Sequence, residues 1–230
     1  MIAVVVADHD HRPGPQKRQV LVDGVYDTLL TFLMSGTLAP GVPFKIDWLS
    51  RNLEVSPTPI REALARIEAT GLVVREPLRG YRVAPRMSSE EFRELMEARL
   101  LIEPYGAAAA CERRSQELLD GLSNELAQMR AAPTGPGYQE FRAFLKADAA
   151  FHKLIASHSG NHFLDEAFDR LGAHFHRFRL FGDAGVTDAA LAVQEHEAVF
   201  AAIKQGAAGE ARKAMKRHIQ AVLQRARPER

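Results

Sequence analysis

The sequence predicts a mainly α protein in two parts, a small mixed unit over residues 20–85 and an all-helical unit over residues 86–230. Three observations predict it. Apolar residues recur at helical spacing from Val20 onward. Two β-branched runs, Val73-Val74 and Tyr81 to Val83, sit close together between Gly71 and Pro85. After residue 90 no strand-period segment of any length follows. With 46% apolar and 26% charged residues among 230, the chain has enough apolar surface for a large core, which excludes a disordered or collagen-like polymer.

Each element has its own local reason. Residues 1–19 read as a poorly ordered arm, because Asp8 to Arg12 lack an apolar period and Pro13-Gly14-Pro15 follow. Val22, Val25, Tyr26, Leu29, Leu30 and Leu33 then mark a first helix, closed by Ser35-Gly36. A loop with Pro40, Gly41 and Pro43 leads to a short helix holding Ile46, Leu49 and Leu53. Ser56 to Thr70 is a third helix with Ser56 placed to cap it, and Gly71 ends it. Pro57 and Pro59 fall in its first turn, where backbone N–H groups lack helical acceptors and proline costs little. The two β-branched runs flank Glu76-Pro77-Leu78-Arg79-Gly80 and predict a hairpin. Ser89, followed by Glu90, Glu91 and Phe92, is the expected cap of a long helical region. Breaks at Pro133–Gly137, Gly160-Asn161, Gly182–Gly185 and Gly206–Gly209 divide that region into about six helices, with Pro104 expected to kink the first.

Helix, short helix, turn, helix, hairpin is the order of a winged helix-turn-helix. In the third helix Ile60, Ala63, Leu64 and Ile67 form an apolar stripe, and Thr58, Arg61, Glu62 and Ala65 project from the opposite face. A hydroxyl, a guanidinium and a small residue at the start of a solvated face suit entry into a major groove, where arginine can take guanine through two hydrogen bonds. The hairpin adds Arg75, Arg79 and Arg82, with Gly80 allowing close backbone approach. The whole chain has 30 basic against 29 acidic residues, so any attraction for nucleic acid must be local. Ser56 to Val83 holds five arginines against three glutamates, a modest excess. Spacing leaves two readings open, a DNA-reading helix and a solvated amphipathic helix with ordinary surface arginines.

The helical part concentrates histidines. Asp148 and His152 stand at i and i+4 on one helix face, about 6 Å apart along the axis. His196 lies 11 residues before Ala207, at the expected turn, and His218 lies 11 after it. An antiparallel helix hairpin puts those two at one level. One carboxylate and three imidazoles inside a bundle form a complete ligand set for a divalent metal, with one position left for water or a ligand. Taken singly, each histidine reads as a surface or satisfied core residue. His158, His162 and His176 keep that reading, while His174 mirrors Asp148 about Asn161 and is a candidate effector contact. The basic C-terminal run Arg212, Lys213, Lys216, Arg217, Arg225, Arg227 and Arg230 reads as a solvated helix end that complements the dipole.

The segment SPTPIREALARIEATGLVVREPLRGYRV, Ser56 to Val83, resembles the DNA-binding signature of GntR-type bacterial transcription regulators. The helical remainder resembles their FadR-like branch, whose effector domain, the FCD domain, is a bundle of six or seven helices. The resemblance implies that Ser56, Thr58 and Arg61 face operator DNA, with Arg79 and Gly80 in the wing. Pro57 stands where the family commonly has a DNA-contacting arginine, and Asp47 places an acid near the groove-facing region. The resemblance also implies a divalent ion, zinc or nickel, on Asp148, His152, His196 and His218, helping to hold a small carboxylate effector. In MEARLLIEP, Arg99 is then a candidate for that carboxylate, the alternative being a salt bridge with Glu103 at i+4. The expected protein is a homodimeric, ligand-responsive repressor.

A metal-dependent hydrolase is the competing expectation, because an Asp/His3 site with an open position can activate water. It lacks a general base at a recognisable spacing and a nucleophile motif, and it leaves the winged unit unexplained. The single cysteine, Cys111, cannot form an internal disulfide and suits a reducing compartment. Ile2 to Ala7 is too short for a signal core, and no run approaches a membrane span. A cytoplasmic location without a membrane partner is expected.

Overall fold

A computed structural model describes residues 15–135, 137–179 and 188–225. Helix α1 (Pro15–Met34) starts inside the span read as an arm, with proline at a position where its missing N–H costs nothing. Residues 1–14 lie outside the described residues. Val22, Val25, Leu29 and Leu33 of α1 are buried. They meet α2 (Ile46–Leu53) through Leu49 and α3 (Pro57–Ala69) through Ile60, Ala63, Leu64 and Ile67. Each large side chain of that stripe contributes about 1.5–3 kcal/mol on burial.

The hairpin pairs β2 (Val73–Glu76) with β3 (Gly80–Val83), in the register Val73 opposite Val83 and Glu76 opposite Gly80. A two-residue strand, β1 (Pro43–Phe44), adds to the free edge of β3 and gives the order β1-β3-β2. The strand falls in the segment expected to be a loop, because two residues carry no period. Gly80 has φ +101°, and a Cβ on it would stand 2.7 Å from the Phe44 carbonyl oxygen. The close approach it permits is therefore to β1 within the sheet.

Six helices follow among the described residues: α4 (Ser89–Glu112), α5 (Gln116–Ala131), α6 (Tyr138–Ser157), α7 (His162–Arg179), α8 (Ala189–Gln205) and α9 (Ala208–Arg225). The cap of α4 is Ser88, one residue earlier than expected. Its Oγ accepts from Glu91 N at 3.1 Å, and Glu91 Oε2 accepts from Ser88 N at 2.8 Å. Pro104 sits inside α4, which continues past it. The unforeseen break comes instead at Arg113-Arg114, where Ser115 caps α5 by accepting from Leu118 N at 3.1 Å. The expected break at Gly182–Gly185 lies outside the described residues.

Helices α4, α5, α6, α8 and α9 enclose the second core around Phe92, Met96, Leu118, Phe144 and Phe151. Helix α7 lies against α4 and α6 through Leu164 and Phe168. The two units touch where Met34 of α1 packs on the helical core. None of the helices with described residues is long and apolar enough to cross a membrane.

Candidate functional site

Helix α6 presents Asp148 and His152 one turn apart, α8 presents His196 and α9 presents His218. Gly206 (φ +72°) ends α8 and lets the chain turn directly into α9. That hairpin levels His196 with His218, whose ring centroids stand 4.3 Å apart. The His152 ring lies 5.1 Å from each of them. The potential ligand atoms of the three rings all lie within 4.8 Å of one another. All three histidines are buried, and Asp148 Oδ1 comes within 3.4 Å of His196 Nε2.

Hydrogen bonding decides which ring nitrogen faces inward. His196 Nδ1 lies 2.6 Å from the Ala192 carbonyl oxygen, which can only accept, so Nδ1 carries the proton. His218 Nδ1 donates to Glu195 Oε2 at 2.9 Å. His152 Nδ1 is 2.7 Å from Glu103 Oε2, an ion-pair contact that lies off the ring N–H axis. The Nδ1 atoms of His196 and His218 are thus bonded outside the cluster, which leaves their Nε2 atoms as lone-pair donors. His152 Nε2 and His196 Nε2 are 3.1 Å apart, close enough to share one proton or to face one cation. Three convergent imidazoles beside a carboxylate fit a divalent transition metal.

The electrostatics agree. Burial, reinforced by neighbouring His218, lowers the His196 pKa to about 3, which keeps that ring neutral. Burial likewise lowers the His218 value. Burial alone would raise Glu103, but Arg99 and His152 outweigh it and hold the carboxylate well below its usual range. Glu195 is held at about 2, because hydrogen bonds from His218 and Arg225 overcome its burial. Aromatic rings wall the cluster. Phe151 meets His196 edge-on at 4.8 Å, and Phe168 of α7 stacks on His152 at 6.4 Å.

One expected contact falls elsewhere. Arg99 stays beside the cluster, buried and paired with Glu103 at Nε–Oε1 2.5 Å, and its charge acts on His218. His174 does not join the cluster. It is exposed, and its ring lies 3.5 Å from where a Cβ on Gly71 would stand, at the end of the third helix of the winged unit. Mirroring about Asn161 fixed only its height along α7 and not its face. His158 is satisfied by the Leu154 carbonyl at 2.9 Å, and His162 is an exposed partner of Glu166. The His176 side chain lies outside the described residues.

Sequence reading missed Glu195, Arg225 and Asp188. Glu195 precedes His196 on α8 yet serves His218 on α9, a relation that no single-helix spacing reveals. Arg225 is no solvated helix end, since it clamps Glu195 and Asp188. Its place seven residues after His218, two turns along one face, was the available signal.

On the winged unit Ser56, Thr58, Arg61 and Arg79 are exposed. Ser56 occupies the cap position of α3, but its side chain makes no capping bond. Pro59, three residues on, has no N–H to offer it. Arg66 pairs with Asp23 at 2.6 Å, and Arg82 pairs with Glu76 at 2.6 Å and with the Gly41 carbonyl. Arg18 holds Glu62. Arg61, Arg75 and Arg79 have no side-chain hydrogen bond or ion pair among the described residues. The arginines of α3 and the hairpin are thereby sorted into internal braces and outward cations.

The profile of the gntR family of bacterial regulatory proteins matches residues 21–83, and that of the FCD domain matches residues 94–221. The chain belongs to the GntR regulators that carry an FCD domain. It is similar to the transcriptional regulator LutR of Bacillus subtilis, 26% identical over 212 residues, covering 81% of this chain and 92% of that one. The transcriptional repressor RspR of Escherichia coli is 24% identical, with 88% and 87% of the two chains covered. Among solved structures, E. coli McbR/YncC superposes with a TM-score of 0.68 at 21% identity, over 89% of this chain and 97% of that one. A GntR-type regulator from Rhodococcus sp. RHA1 gives the same score at 19% identity, over 89% and 96%. The chain is accordingly a DNA-binding transcription regulator and not an enzyme, and nothing in its family supports the hydrolase alternative.

Proposed function

We propose that this GntR regulator is a homodimeric repressor whose operator affinity is set by a small carboxylate bound at a divalent ion in the helical domain. The observation that carries this reading is the convergence of three buried imidazoles, with potential ligand atoms within 4.8 Å of one another, beside Asp148. His152, His196 and His218 would hold the ion with Asp148 beside them, zinc or nickel being the expected metals. When bound, the ion supplies a Lewis-acidic anchor for a carboxylate oxygen. Arg99 is committed to Glu103, so the effector's charge is assigned to the ion and its polar surroundings. Ser56, Thr58 and Arg61 enter a major groove, Arg79 accompanies them in the wing, and the two half-sites of a short palindrome take one winged unit each.

The test is elemental analysis of untagged, dialysed protein beside Asp148→Ala and His218→Ala. About one divalent ion per chain, lost in both variants, is expected for a four-ligand site. Small carboxylates screened on the metal-loaded protein are then expected to change its retardation of operator DNA. A folded wild type that takes up no metal on addition overturns the site.

A further inference from the structure

Two of the three histidines face a carboxylate that an arginine clamps, but only His218 is hydrogen-bonded to it. Arg99 clamps Glu103, which meets His152 Nδ1. Arg225 clamps Glu195, which meets His218 Nδ1. The first device is buried in the core, whereas the second runs along the outer edge of the α8–α9 hairpin.

We propose that Glu195, braced by Arg225 and Asp188, is the positioning residue that fixes His218 as an Nε2 donor. The proposal rests on the metal-site reading above and names a residue set beyond it. Both oxygens of Glu195 are occupied outside the cluster. Oε2 accepts from His218 Nδ1 at 2.9 Å and from Arg225 Nη2 at 2.9 Å, and Oε1 accepts from Arg225 Nη1 at 2.5 Å. The carboxylate therefore holds a ligand and is not one. Arg225 is itself fixed, since its Nε donates to Asp188 Oδ2 at 2.7 Å. The chain Asp188–Arg225–Glu195–His218 ties the start of α8 to the last turn of α9 and ends on a potential metal ligand.

The physical need for it lies in the His218 ring. His218 is almost wholly buried, so an Nδ1–H without an acceptor would be an orphaned buried donor. The ring would then gain by turning that nitrogen elsewhere or by moving its proton to Nε2, and either change removes the inward lone pair. His196 needs no such helper, because a backbone carbonyl of its own helix fixes it. Glu195 supplies from another helix what Ala192 supplies from within.

The test compares full-length wild type with Glu195→Ala, Glu195→Gln and Glu197→Ala. Glu197 lies on the same helix in an exposed pair with Arg130, outside the device. Zinc affinity is read by competition with a chromogenic chelator, ligand geometry by the visible absorption of the cobalt(II)-loaded protein, and fold by the melting of the chelated protein. Glu195→Ala is expected to lose about 10–100-fold in zinc affinity and to change the cobalt spectrum, with the chelated protein still melting cooperatively. Glu195→Gln keeps an acceptor oxygen and is expected to recover part of the loss. Glu197→Ala is expected to match wild type. Zinc affinity within about threefold of wild type in Glu195→Ala, with an unchanged cobalt spectrum, overturns the proposal while the metal site stands. Wild type that takes up no zinc overturns the metal site itself, and the proposal with it. If Glu195→Ala does not fold, Glu195→Leu, which fills the space without an acceptor, decides by the same two readouts.

Discussion

At Arg99 a single contact separates two roles that spacing left open. A guanidinium free to greet an effector would have to be available, whereas this one is buried against Glu103, whose other oxygen meets His152. Removing one member of a buried ion pair strands the other charge, and the usual cost is about 3–5 kcal/mol. Arg99→Ala is therefore expected to destabilise the helical domain by about that amount in urea unfolding. An effector anchor would instead lose its ligand response at nearly unchanged stability, and that result would reverse the assignment. Gly80 offers a second case. Gly80→Ala must place a Cβ 2.7 Å from the Phe44 carbonyl at φ +101°, so a loss of about 1–3 kcal/mol is expected in the melt of the winged unit. A wild-type melt would show that β1 yields easily.

At the level of elements, α3 and the wing carry arginines of two kinds, and only their partners tell them apart. Arg66 lies over the Tyr26 ring at 4.4 Å and pairs with Asp23, so it braces α3 against α1. Arg61 leaves the same helix toward solvent. If it reads a base edge, Arg61→Ala costs about 1–3 kcal/mol on operator and far less on random duplex, measured by titration at fixed salt. Arg79→Ala is expected to weaken both DNAs alike and to lower the salt slope by about one, the signature of a phosphate contact. Equal losses for Arg61→Ala on both DNAs would reduce it to the same class. Helix stripes such as Ile60, Ala63, Leu64 and Ile67 were legible in the sequence because period alone places them. The level of His196 with His218 was legible for a similar reason, as equal distances from a glycine turn fix height in a hairpin. Which face a residue takes was legible only within a repeating stripe. His174 and Glu195 therefore escaped, since both act across helices whose relative rotation no spacing records.

In the whole molecule the candidate ligands come from α6, α8 and α9, three helices whose apolar side chains share one core. An ion bound there adds a link that the unfolded chain lacks, so its binding free energy adds to folding free energy. At zinc concentrations about 100 times the dissociation constant the gain is about 2.7 kcal/mol. For a chain of this size that is a rise of roughly 5–11 °C in melting temperature. His196→Ala should melt at one temperature with and without zinc, because the ring at the centre of the set is gone. The winged unit has its own core of α1, α2, α3 and the sheet, so its transition should shift little. The two units still share a boundary at Met34 and at Gly71 with His174, and a metal-dependent change there would reach the end of α3. Linkage makes this measurable from either side. If the loaded helical domain alters operator affinity by some factor, operator DNA must alter the affinity for zinc or for the carboxylate effector by the same factor. Zinc titrations with and without operator duplex are expected to differ by the ratio that retardation assays give for the metal-loaded and chelated protein. Identical titrations beside a metal-dependent retardation would mean that the metal acts elsewhere than through this boundary.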